Sequence, residues 1–220
     1  MAPRLSYTRE LDDLQTDLIK MASIVEESLN KSITALVEKS LELCKEVFLA
    51  ENEVDEYDNI IQKKCINLIA RQQPLAKDLR MISSAMKIVT DIERVGDHAY
   101  DISEITVRII KEKPVKLLND IPIMSNMAKD MFSRAVNSFV NQDIELAKQV
   151  CLDDDNVDDY FNKIILELVN MMKNDPSTIS AATNFMFIVK YLERIGDHAT
   201  NIAEWVIFNV TGEHKDMKIL

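Results

Sequence analysis

The segment Glu93-Arg94-Val95-Gly96-Asp97-His98-Ala99 returns one hundred residues later as Glu193-Arg194-Ile195-Gly196-Asp197-His198-Ala199. No other feature constrains the fold of this chain so strongly, because two copies of one segment must build the same local structure twice. Elsewhere the two halves differ widely. The chain therefore reads as a duplication, with a first unit over residues 1–115 and a second over 116–220.

Each unit reads as helix. The chain of 220 residues holds only three glycines and five prolines, and no Asn-Gly or Asp-Gly hairpin signal, so turns are few and helices long. Leu14, Leu18, Met21, Val25, Leu29, Ile33 and Leu36 recur at three and four residues, a buried stripe on a first helix from about Leu5 to Val37. It breaks at Glu38-Lys39-Ser40, and the matching break is Asn141-Gln142-Asp143, with Ser40 and Asp143 placed to cap the helices that follow. Those helices cover about Leu41 to Gln72 and Ile144 to Asn174. Pro74 and Pro176 then suit the first turns of third and sixth helices ending near Lys111 and Val210. Lys113-Pro114 opens the linker and Asp120-Ile121-Pro122 the fourth helix. The expected architecture is all-α, two tandem three-helix bundles with short turns and antiparallel neighbours.

Along these helices run four acidic stripes at i, i+4 and i+8. They are Glu93, Asp97 and Asp101; Glu193, Asp197 and Asn201; Glu51, Asp55 and Asn59; and Asp154, Asp158 and Asn162. Glu51 and Asp55 lie twenty-two and eighteen residues before an apex at Gln73, and Glu93 and Asp97 twenty and twenty-four after it. Asp154 and Asp158 lie twenty-one and seventeen before Asp175, and Glu193 and Asp197 eighteen and twenty-two after it. With a rise of about 1.5 Å per residue, facing stripes stand at one height in both halves. Height does not set rotation about the axis, so an acidic solvent face is the plain alternative. Charges converging at about 4 Å would repel by roughly 1 to 4 kcal/mol per pair and call for a cation or shared protons. Oxygen donors without sulfur suit hard ions such as Mg, Mn, Ca or iron.

Other residues are read beside the stripes. Gly96 and Gly196 cost a helix roughly 0.5–1 kcal/mol each against alanine; close helix packing or room for an ion cluster or partner would explain them. His98 and His198 point about 100° off the stripe, as bundle-edge residues or groups that orient a ligand. Arg94 and Arg194 are placed to balance Asp97 and Asp197, while Arg71 and Arg80 are ion-pairing or partner-facing. Cys44, Cys65 and Cys151 form no CxxC and read as reduced core thiols. A net charge of −11 argues against nucleic acid or an anionic membrane as unaided partner. No apolar run spans a membrane and no signal peptide is evident, so the expected location is cytoplasmic. No phosphate-cradling glycine loop, nucleophile–His signature or Glu-x-x-His is present.

Arg71-Gln72-Gln73-Pro74-x-Ala76-x-Asp78-Leu79-Arg80, followed by Asp91-Ile92-Glu93-Arg94-Val95-Gly96-Asp97-His98-Ala99 and its repeat, resembles the PhoU family across the whole chain. The resemblance implies multinuclear metal sites at Glu51/Asp55 with Glu93/Asp97, and at Asp154/Asp158 with Glu193/Asp197, with Asp101 and Asn201 as further candidate donors. It points to iron first, with Mn, Mg or Zn as alternatives. It also implies a non-enzymatic, homodimeric cytoplasmic regulator, peripheral at the inner membrane face through its partners. Those partners would be a Pst-type phosphate transporter ATPase and a PhoR-type sensor kinase, with phosphate-starvation genes repressed at high phosphate. Asn201 in place of an acid leaves less charge in the second site, so the two would differ in metal number or affinity. The alternatives are a metal-dependent phosphohydrolase with multinuclear carboxylate sites, and a helical module with solvated acidic faces.

Overall fold

A computed structural model describes residues 3–72, 74–111 and 118–213. Six helices account for them: α1 (Pro3–Glu38), α2 (Leu41–Gln72), α3 (Ala76–Lys111), α4 (Asp120–Asn141), α5 (Ile144–Asn174) and α6 (Ile179–Thr211). The all-α expectation holds, and no strand occurs among the described residues. Gln73, the expected apex, and the expected boundary at 115/116 with Lys113-Pro114 lie outside the described residues.

The α1–α2 and α4–α5 turns are built alike. Lys39 and Gln142 take left-handed φ values of 56° and 53°, a conformation that costs a non-glycine residue about 1–2 kcal/mol. The reward is closure of the helix ends: Ser40 N–H reaches Ala35 O at 3.0 Å, and Asp143 N–H reaches Ser138 O at 2.9 Å. Ser40 Oγ then accepts from Leu43 N–H at 3.3 Å and Asp143 from Leu146 N–H at 3.0 Å, capping α2 and α5. Helix α3 begins at Ala76 rather than Pro74, and a single 3-10 turn over Pro176–Thr178 precedes α6. Asp175 caps that turn through Ser177 N–H at 3.0 Å. Gly212, with φ +80°, closes α6.

Helices α1, α2 and α3 pack as one three-helix bundle and α4, α5 and α6 as the other. The bundles are joined chiefly along α3 and α6. Asp91 meets His198 while Asp101 meets Tyr191, so α3 and α6 run antiparallel about an approximate two-fold axis near the paired glycines. Helices α1 and α4 follow the same symmetry, with Gln15 donating to Val140 O at 3.0 Å and Lys129 to Asn30 at 2.8 Å. Buried side chains from all six helices form one continuous core. Cys44 and Cys65 lie within it and Cys151 is half-buried, all three free; burial pushes the Cys65 thiol up to about 12, leaving it unreactive.

Candidate functional site

The facing stripes of α2 and α3 do converge. Their rotation about the helix axes is set by the core: Val54, Val95 and Ile92 are buried, which turns Glu51, Glu93 and Asp97 to the rim of the α2–α3 groove. There a cleft of about 510 Å³ is lined by Phe48, Glu51, Asn52, Asp97, Tyr100 and Asp101. Glu51 lies within hydrogen-bonding reach of Asp97, and burial together with Asp97, Asp55 and Glu93 pushes its carboxyl up to about 8. At neutral pH Glu51 therefore holds a proton and donates it to Asp97. Burial and Asp97 also raise Glu93, against the pull of Arg94, with Asp58 and Asp55 adding to the rise. Arg94 bonds Asp97 at 2.7 Å and approaches Glu93 at 3.4 Å from the solvent side.

The second cleft repeats this pairing on α5 and α6. Burial, then Asp197, Asp158, Asp155 and Glu193, push Asp154 up to about 6. Asp158 is raised by burial and by Glu193, and Asp197 by burial and Glu193, with Lys190 opposing. The cation here is Lys190, whose Nζ stands 2.6 and 2.5 Å from the two oxygens of Glu193 and 5.4 Å from the centroid of the Phe161 ring. Among the described residues Arg194 forms no ion pair with Asp197, unlike Arg94 with Asp97.

The third position of each α3 and α6 stripe behaves differently. Eight residues advance the helix face by about 80°, whereas seven return to within about 20°. Asp101 still lines the first cleft but accepts a hydrogen bond from Tyr191 across the bundle seam. Asn201 is turned away from its carboxylates; its Nδ2 donates to Asp91 Oδ1 at 3.3 Å. His198 Nδ1 meets the same oxygen at 2.8 Å. His98 stacks on Tyr191 at 5.3 Å and lies 5.5 Å from His198. The histidines are thus seam residues rather than bundle-edge ones, since α3 buries against α6 the face they occupy. Burial and His198 hold His98 down to about 4, and its two ring nitrogens lack hydrogen-bond partners. Arg80 packs on Gly212, its Nε 3.7 Å from where a Cβ would stand.

Sequence reading missed Asp58, Lys190, Phe161, Asp91 and Tyr191. Asp58 and Phe161 carried a signal, since each lies seven residues beyond the first stripe residue, on the same helix face. Asp91 and Tyr191 carried none, because their role depends on how the bundles meet.

The donor set fits a hard cation in kind. A Cβ built on Gly196 would stand 3.2 Å from Asp154 Oδ1, and one on Gly96 3.8 Å from Glu51 Oε2 and 3.4 Å from Val25 and Val54. The glycines bear out the expectation of close helix packing, and the space each leaves is approached by a half-buried carboxylate of the facing helix. Burial first and carboxylate repulsion second raise Glu51 and Asp154, and the repulsion is what a bound cation would discharge. As the side chains stand, no three His, Cys, Asp or Glu among the described residues enclose a single ion position. The carboxylates are gathered around clefts, not closed into cages.

Comparison with known proteins agrees with this duplicated arrangement. The family model "PhoU domain" matches residues 18–106 and again 121–206. A Clostridium acetobutylicum protein named "Phosphate-specific transport system accessory protein PhoU homolog" is 36% identical over 215 residues, 97% of this chain and 98% of that one. A homologue of the same name from Aquifex aeolicus is 39% identical over 186 residues, 84% of each chain. The crystal structure of PhoU from Pseudomonas aeruginosa superposes with a TM-score of 0.90 at 33% identity, covering 94% of this chain and all of that one. The fold also matches that of the phosphate transport system regulatory protein PhoU from Streptococcus pneumoniae, with a TM-score of 0.89 at 24% identity.

Proposed function

This chain belongs to the PhoU family, and on that premise we propose that it is a metal-binding accessory of a phosphate-specific transport system, a regulator rather than an enzyme. The observation that carries the reading is the tandem family match over both halves, with relatives named for that transport system covering nearly the whole chain. In this role the protein acts in the cytoplasm as an adaptor between a Pst-type transporter ATPase and a PhoR-type sensor kinase. It represses the phosphate-starvation response when phosphate is plentiful, and works as a homodimer. No helix among the described residues is long and apolar enough to cross a membrane; in this reading, attachment at the membrane runs through the transporter.

The residues that would hold metal are Glu51, Asp55, Glu93 and Asp97 in the first half, with Asp101 at the rim, and Asp154, Asp158, Glu193 and Asp197 in the second. Iron comes first in this proposal, then Mn, Mg or Zn. A bound ion would supply positive charge linking the two helices of each cleft. The chain's own part is to deliver ionised carboxylates, which in the first cleft means releasing the Glu51 proton.

Co-purification of the transporter ATPase and the kinase sensor module with this protein at high phosphate tests the adaptor role, and no capture of either overturns it. Elemental analysis after purification without chelator tests the metal. Turnover of a generic phosphate ester by Mn- or Fe-loaded protein, abolished by Asp97→Ala, would instead establish the phosphohydrolase reading.

A further inference from the structure

The two clefts can be superposed residue by residue, since α2 matches α5 at a spacing of 103 residues and α3 matches α6 at 100. The carboxylates coincide under this operation: Glu51 with Asp154, Asp55 with Asp158, Glu93 with Glu193, Asp97 with Asp197. Four neighbouring positions change charge. Asp58 in the first half becomes Phe161 in the second, Thr90 becomes Lys190, Asp101 becomes Asn201 and Asn52 becomes Asp155. The first three exchanges each make the second cleft less negative by one unit and the last makes it more negative by one, a net difference of two unit charges.

The geometry shows that the added charge is seated. Lys190 Nζ makes near-symmetric contacts of 2.6 and 2.5 Å with both oxygens of Glu193, and Glu193 is 15% exposed at its side chain. On its other side the ammonium lies over Phe161, where a cation gains from the negative face of the ring. The two substitutions thus act together: the aromatic ring that replaced Asp58 is the surface on which the lysine that replaced Thr90 rests. Arg94 pairs differently: it is 54% exposed against 40% for Lys190, bonds Asp97 at 2.7 Å and stands 3.4 Å from Glu93.

We propose that Lys190 is a tethered counter-cation of the second cleft, and that it makes this cleft the weaker of the two for an inorganic cation. An entering ion there must displace the ammonium from Glu193 or bind beside it, and like charges within a few ångströms repel. In the first cleft Glu93 carries no such close ammonium, Arg94 being bonded to Asp97 and 3.4 Å from Glu93, and that cleft is filled first. Lys190 is a specificity-determining residue in this scheme, not a ligand. The inference rests on the metal reading given above.

The test is titration of chelator-treated, full-length protein with Mn, followed by calorimetry, beside the variants Lys190→Thr and Thr90→Lys. Wild type is expected to show two binding classes. Lys190→Thr should tighten the weaker class by about tenfold or more, and Thr90→Lys should weaken the tighter one. A weaker class unchanged by Lys190→Thr, in protein that does bind Mn, overturns the proposal and leaves the metal reading standing. Absence of binding in all three proteins overturns both. Melting of the metal-free proteins supplies a readout independent of any ion. Lys190→Thr should lower the midpoint, and most of that loss should vanish in the Glu193→Gln background. Equal losses in both backgrounds would mean that Lys190 does not neutralise the cleft, and would also overturn the proposal.

Discussion

The two halves face one electrostatic problem and relieve it differently. In the first, Glu51 holds a proton against Asp97 and Arg94 pairs with Asp97; in the second, Lys190 lies on Glu193. The carboxylates recur at matching positions, while the counter-charges are a proton and a guanidinium on one side and an ammonium on the other. Glu51 is pushed up to about 8 and Asp154, its counterpart, to about 6, each by burial first and by neighbouring carboxylates second. After a duplication the residues that create the repulsion have stayed the same, whereas those that offset it have drifted. A cation-free protein with both clefts fully ionised would be unstable on either side.

The comparison presumes that both halves belong to one folding unit, which the continuous core supports. Phe185→Ala tests this with the largest effect. Phe185 is almost wholly buried, and the matching position in α3 is Ala85, also buried, so the second bundle relies on an aromatic ring where the first does not. Truncation should cost about 3–5 kcal/mol. Urea unfolding followed by far-UV circular dichroism reports both halves, and fluorescence of Trp205, the sole tryptophan, reports the second. The two transitions should coincide and shift together. Fluorescence loss preceding the dichroism change would break the comparison into two independent domains.

The seam carries the next effect. Asp91 accepts from both His198 and Asn201, whereas His98, the symmetric partner of His198, has no hydrogen bond for either ring nitrogen. Asp91→Ala strands a half-buried histidine and should destabilise by about 1–3 kcal/mol. His98→Leu removes unpaired polar atoms and should be close to neutral, within about 1 kcal/mol. Denaturation midpoints measured side by side check the contrast, and equal losses would show that the seam is symmetric in energy as well as in position.

The dependence on pH separates the two clefts further. Glu51 and Asp154 hold their protons more tightly folded than unfolded, where they return to about 4.5 and 3.8. The stability they contribute is fully present below those values and is lost as pH rises, through about 6 for Asp154 and about 8 for Glu51. His98 acts the other way, its contribution being lost as pH falls from 6.5 toward about 4. The window from about 6.5 to 8 therefore belongs to Glu51. Metal-free protein should lose stability across it, Glu51→Gln should flatten the profile there, and Asp154→Asn should leave that window nearly unchanged. Urea midpoints against pH, with chelator present, measure this. A flat wild-type profile above pH 6.5 would remove the shared proton from the account.

Much of this arrangement was legible beforehand. Helix limits came within two or three residues, because caps, prolines and apolar spacing are local signals. The pairing heights of Glu51 with Asp97 and of Asp154 with Asp197 followed from residue counts about each turn. The seam did not follow. A buried stripe shows that a helix face meets something without showing what, so Asp91 and Tyr191 were silent and His98 was placed at an edge. Asn201 was assigned to the stripe at i+8, where the helix has already rotated toward α3. Lys190 went unread because its meaning depends on Phe161, and the two come together only across α5 and α6.

The smallest predicted effect asks what the paired glycines are for. Alanine is favoured over glycine inside a helix by about 0.8–1.0 kcal/mol. At Gly96 the new methyl would meet Val25 and Val54 at 3.4 Å, an ordinary contact, with Glu51 at 3.8 Å. Gly96→Ala should thus keep most of the intrinsic gain and raise stability by up to about 1 kcal/mol. At Gly196 the methyl would stand 3.2 Å from Asp154 Oδ1, close enough that the carboxylate must shift by a few tenths of an ångström. Gly196→Ala should show less of the gain, or none, and should weaken Mn binding in the second cleft. Thermal melts give the stability terms and Mn titration gives the second. If Gly96→Ala disturbs binding more than Gly196→Ala, the carboxylate cradle is wrong, and close packing alone accounts for both glycines.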